Sequence, residues 1–196
     1  MISKILRKSV PIGALAIAFS GVAYARMPAP DAAALLNKAN QINYEEIETA
    51  KTAHDKAGDN QALVTYADTI KGDHEANQEA VTALSRQMSV KLEGTDTSKT
   101  KSNPMADLKG GAFNEAYLND QVMGHKDALT AFKSARGTFK GDPDMELYVE
   151  QTIPVLEAHL KMAQSLKSHL STASAENPST NKSNTGGMGE SSASSK

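Results

Sequence analysis

Glu46, His74, His125 and His159 are the residues of this chain best suited to chemistry. Each falls near the middle of a different segment with helical periodicity, on that segment's apolar face. Imidazole nitrogen and carboxylate oxygen together suit zinc, iron, copper or manganese. The same groups can relay protons or hydrogen-bond one another. Buried without partners they would cost several kcal/mol, so they must satisfy each other, a water or an ion. Two readings follow. In one, Glu46, His74, His125 and His159 are ligands of a transition metal, with Asp73 and Tyr117 supporting them. In the other, the cluster is a metal-free, hydrogen-bonded polar core, completed by residues such as Tyr44, Asn77, Tyr117 or Gln121.

Four segments must position this quartet. Asp31 to about Ala57 reads as a helix, entered after Pro28 and Pro30 and stopped at Gly58. Leu35, Ala39, Ile42, Glu46, Ala50 and Ala53 trace one face of it. Asp59 or Asn60 starts a second helix reaching about Ser89, with Leu63, Ala67, Ile70, His74, Val81, Leu84 and Met88 inward. A third spans about Phe113 to Ala135 through Tyr117, Leu118, Val122, His125, Leu129 and Phe132. A fourth runs from Asp142 or Asp144 to about Ser171 along Leu147, Val155, His159, Met162, Ala163, Leu166 and Leu170. Pro154 predicts a kink within it.

Helices of about 23 to 30 residues are roughly 35–45 Å long, so their midpoints meet at one level of a bundle. Residues 90–111 form a polar connection that is long for neighbouring helices. About 20 extended residues reach roughly 65 Å, enough to cross a bundle end to end. The expectation is an all-α, ferritin-like four-helix bundle with a long connection between helices 2 and 3.

The flanking segments carry different signals. Lys4, Arg7 and Lys8 precede an apolar run from Val10 to Val22, and Ala23-Tyr24-Ala25 supplies a small-x-small cleavage pattern. Residues 1–25 therefore read as a signal peptide, residues 26–172 as the bundle, and residues 173–196 as a disordered polar tail. The apolar run falls short of the ~20 residues of a spanning helix. With no cysteine there is no lipid-attachment site and no disulfide framework. The expected address is the periplasm or the exterior, with no transmembrane segment after signal removal.

Losing the three positive charges of the signal moves the formal net charge from −2 to −5. That mild acidity, without a basic stripe, argues against nucleic acid as a partner. An envelope protein or a second copy of the chain remains as partner. No Glu-x-x-His pair occurs, so the usual carboxylate di-iron arrangement is absent. Nucleophile elbows, phosphate loops and His-Glu-x-x-His are absent as well. His54 and His169 lie away from the shared level and read as structural or solvent-facing. The eight methionines fall mostly at helix-core spacing.

Taken together, several stretches resemble the bacterial domain of unknown function 4142 family, whose members carry an outer-membrane or periplasmic label and are treated as ferritin-like. The matching residues are Glu46-Ile47-Glu48 with Ala50 and Ala53, then Tyr66-Ala67, Asp73-His74 and Asn77. Phe113, Tyr117-Leu118, Gly124-His125, Pro154 and His159-Leu160 continue the pattern, which covers about residues 31–170. The resemblance implies a four-helix bundle, an exported protein and no assigned activity. It marks Glu46, Asp73, His74, His125 and His159 as motif positions. One departure is Asn114, where the pattern usually has aspartate, so any charge that aspartate lends the site is missing here.

Overall fold

The computed structural model describes residues 30–95 and 105–176. The signal peptide and most of the polar tail expected from the sequence lie outside the described residues. Among those described there are four helices: α1 Pro30–Lys56, α2 Gln61–Gln87, α3 Gly110–Thr138 and α4 Pro143–Glu176. None is long and apolar enough to cross a membrane.

Local chemistry sets the helix ends. Asn60 caps α2, its side chain accepting from the Leu63 N–H at 3.1 Å. Gly58 turns the chain out of α1 with φ +61°, a left-handed conformation that suits a residue without Cβ. α4 runs unbroken through Pro154, whose missing N–H falls on the exposed face. It also continues to Glu176, beyond the end expected near Ser171. Ser171 and Thr172 return their hydroxyls to the carbonyls of Lys167 and Ser168, so these polar residues stay compatible with helix.

α1 packs along α2 and α3 along α4, while α2 also meets α4 and α1 meets α3. Pairings run in opposite directions at every one of these faces. Asn43 meets Asn77 while Asn40 meets Gln78, and Glu46 meets Gln121 while Ala57 meets Asn114. Across α2 and α4, Gln87 reaches Asp144 and Asp73 reaches His159. Helices α2 and α3 are therefore parallel across the diagonal, and the connection between them must travel the length of the bundle. This single long crossover is the arrangement used by ferritin-like folds. The described ends of the connection lie against α1. Asn37 and Asn40 hold the backbone of Glu93, and the Lys56 ammonium donates to the carbonyls of Met105 and Ala106.

Two apolar cores fill the ends. One gathers Leu36, Leu84, Phe132, Tyr148 and their neighbours; the other gathers Leu63, Ile70, Phe113, Tyr117 and Leu118. Between them lies a buried polar storey containing Asn43, His74, Gln121, His125, Thr152 and His159. The inward face of early α4 differs from the one read off the sequence. Met145, Tyr148, Val149, Thr152 and Leu156 point inward, and Leu147 is 41% exposed. Tyr148 fixes that rotation by packing edge-on against Phe132, ring centroids 5.8 Å apart, and donating its hydroxyl to Asn77 Oδ1.

Asn77 is the hub of the storey. It accepts from Asn43 and Tyr148 and donates to Thr152 Oγ1. An Asn77→Ala substitution removes one of the two acceptors of the Asn43 amide and an acceptor of the Tyr148 hydroxyl, and we expect a loss of about 1–3 kcal/mol in urea unfolding. An unchanged midpoint would show that water replaces the amide without cost.

Candidate metal centre

Three of the four sequence-selected residues meet in the middle storey. His74, His125 and His159 are at most 4% exposed, and one ring nitrogen from each lies within 4.8 Å of the others. Their ring centroids are 5.1–5.8 Å apart. Each comes from a different helix, and each is buried because it replaces an apolar residue in its helix's inward stripe.

Hydrogen bonds set which nitrogen of each ring points inward. His74 Nδ1 donates to Asn43 Oδ1 at 2.9 Å. The Asn43 amide is held in that orientation because its nitrogen donates to the oxygens of Asn77 and Gln78. A flipped amide would set oxygen against oxygen. His125 Nδ1 donates to the Gln121 carbonyl one turn earlier, at 2.9 Å. His159 Nε2 donates to Asp73 Oδ2, also at 2.9 Å. All three rings are thus anchored from behind by oxygen acceptors. This leaves His74 Nε2, His125 Nε2 and His159 Nδ1 as the second nitrogen of each ring.

That arrangement creates a demand. His125 Nε2 and His159 Nδ1 face each other at 3.2 Å, and two lone pairs at that distance repel. Either one additional proton or one cation must stand between them. With the proton, one of the two rings donates to the other. His74 Nε2 is buried and has no hydrogen-bond partner among the described residues. A metal ion would satisfy all three nitrogens at once. Imidazole ligands bound at about 2.1 Å in tetrahedral geometry stand roughly 3.4 Å apart, so one pair is already at bonding separation. The anchors behind the rings are the outer-shell acceptors that metal-bound histidines use.

Glu46 is placed differently from the three histidines. Its carboxylate lies 3.9 Å from His125 Nδ1, behind the ring, and Gln121 Nε2 donates to it at 2.6 Å. It therefore faces the anchored side of His125 and stands outside the three-nitrogen cluster. α3 passes close beside it, since a methyl group on Gly124 would sit 3.5 Å from Glu46 Oε1. Asp73 reaches the cluster through His159, although helical projection turns it about 100° away from His74. Its partner is on α4, a direction that projecting α2 alone does not reveal. Tyr117 packs in the second apolar core, stacked on Phe113 and edge-on to Tyr66. Its buried hydroxyl finds no partner among the described residues. Asn114 donates to the Ala57 carbonyl at 3.4 Å and so finishes α1, about three turns from His125. His54 and His169 are exposed.

Sequence reasoning missed Asn43, which sets the His74 tautomer. The signal was present in Asn40 and Asn43, two amides spaced three apart on the inward side of α1.

The family model described as "Domain of unknown function (DUF4142)" matches residues 19–166. The chain belongs to this family. No curated protein and no solved structure matches it. The stretch matched contains α1 to α3 whole, most of α4, and every histidine of the cluster.

Burial shifts the ionisable groups in opposing senses. It holds His74 well below the usual histidine value and, with the charge of His159, holds His125 down to about 4. Burial pushes Glu46 up to about 7, against the Gln121 hydrogen bond and with help from Asp120 and Glu45. Unfolded histidines take up protons near 6.5, before the folded rings do. Their stabilisation is therefore complete above 6.5 and falls as pH drops towards 4. Glu46 works the other way: its contribution is complete below 4.5 and lost as pH rises to about 7. In chelator-treated protein we expect the thermal midpoint to fall between pH 6.5 and 4.5, because two rings outweigh one carboxyl. Glu46→Gln should raise stability at pH 8 by up to about 3 kcal/mol and leave pH 4.5 nearly unchanged. A pH-independent difference between the two proteins would contradict the buried-carboxyl account.

Proposed function

We propose that this chain is an exported, metal-binding helical-bundle protein of the cell envelope, with His74 Nε2, His125 Nε2 and His159 Nδ1 as the ligand atoms. The carrying observation is the set of three back-anchored imidazoles, one of which presents a buried nitrogen with no partner among the described residues. A ligand set of three nitrogens with no carboxylate oxygen among them favours zinc, copper or iron over manganese, which prefers oxygen. Three protein ligands leave a position open, as in reactive rather than purely structural sites. Metal handling or protection against envelope stress fits such a centre. The export reading rests on the basic, apolar and small-residue order of residues 1–25.

A second reading has an observation of its own. One proton between His125 and His159 satisfies their 3.2 Å contact without an ion, as a non-catalytic structural or interaction module would need. The two readings part on metal content. Untagged protein dialysed against zinc should hold one ion per chain by elemental analysis, and the His74→Ala/His125→Ala variant should hold none. Asp73→Ala should weaken binding about 10- to 100-fold. Equal, sub-stoichiometric zinc in wild type and the double variant would leave the structural module standing instead.

A further inference from the structure

A cleft of about 320 Å³, counting its open mouth, abuts His74 and His159 on the side where α2 meets α4. Asp73, 20% exposed and hydrogen-bonded to His159, lines it. Helix α1 contributes Ala39 and Ile42, α3 contributes Ala128 and Phe132, and α4 contributes Val155 and Leu156. The polar remainder of the wall is largely committed. Asn43 and Asn77 spend their amides on each other, on His74, Gln78, Tyr148 and Thr152, and the Thr152 hydroxyl donates to the Tyr148 carbonyl. The buried atom of this wall without a partner among the described residues is His74 Nε2, one of the proposed ligand atoms.

We infer that this cleft admits a small uncharged apolar molecule of diatomic size, dioxygen or nitric oxide in class, to the open position of the three-histidine centre. The inference rests on the metal reading above and adds what the centre meets. Size supports it, because the interior leaves room for a guest of about one or two water molecules. Charge supports it as well. An anion entering here would face Asp73 at the mouth and apolar side chains within, with no lysine or arginine in the wall. An uncharged diatomic loses little hydration on entry, and Ala39 and Ala128 leave the space that larger residues would fill. The apolar share of the lining is the kind of surface that holds xenon or similar guests in protein cavities.

Two probes test it, one with metal and one without. Chelator-treated protein under xenon pressure should show saturable shifts of the Ala39, Ala128 and Val155 methyl resonances. Protein loaded anaerobically with ferrous iron should bind nitric oxide and give the spin-3/2 signal of a ferrous nitrosyl, while azide should leave the metal unchanged. Ala128→Leu fills the cleft from below and Val155→Leu from its half-buried rim, so one can serve if the other misfolds. In a variant that keeps its helix content and one iron per chain, nitric oxide affinity should drop at least tenfold and the xenon shifts should disappear. Iron bound at one per chain without a nitrosyl signal would overturn the inference and leave metal binding intact. Azide binding, or nitric oxide binding that ignores both fillings, would overturn it equally. A xenon response absent in wild type would show the cleft to be wet or closed. Failure to retain any iron would instead remove the metal reading, and the inference with it.

Discussion

The middle storey is governed by one electrostatic requirement: two imidazole nitrogens at 3.2 Å must share a positive particle. Everything around them fixes that requirement in place. Asn43, the Gln121 carbonyl and Asp73 each accept from the outer nitrogen of one ring, which decides where the remaining lone pairs lie. The two apolar cores hold the helices around that point. A ring free to turn would escape the demand by presenting its other nitrogen. These rings are held by hydrogen bonds on their far sides, so the demand persists.

The amide relay extends this control beyond the rings. Asn43 passes from His74 to Asn77 and Gln78, Gln78 passes to Asn40, and Asn40 holds the Glu93 carbonyl of the crossover. The long connection is thus tied to the same polar layer that orients the site. Chains of buried hydrogen bonds of this kind favour one arrangement over its near alternatives, since a single reversed amide leaves several groups unpaired.

Much of this was legible in the sequence. Period-3.6 stripes mark four helices because burial on one face demands them, and the stripe of α2 from Leu63 to Met88 is buried as read. Histidines at equal depth on three of those stripes meet because helix midpoints coincide. What the sequence hides is rotation and partnership. The inward face of early α4 follows Tyr148 rather than Leu147, a difference of one residue that Phe132 and Asn77 decide. Glu46 shares the level of the histidines yet stands behind one of them, since projection gives depth but not which side of a neighbouring ring a side chain passes. Asn43 escapes for a different reason, although its spacing from Asn40 marks the inward side of α1. An amide on a helix reads as solvent-facing until its buried partners are known.

The crossover has a consequence at the scale of the whole molecule. Because α2 and α3 are parallel, so are α1 and α4, and the chain enters α1 at one pole and leaves α4 at the other. Pro30 and Glu176 are therefore separated by the long axis of the bundle, about 40 Å for helices of this length. An up-down-up-down bundle would return both termini to the same pole. Here the start of α1 and the end of α4 face opposite poles, so the two described ends of the chain are held a bundle length apart.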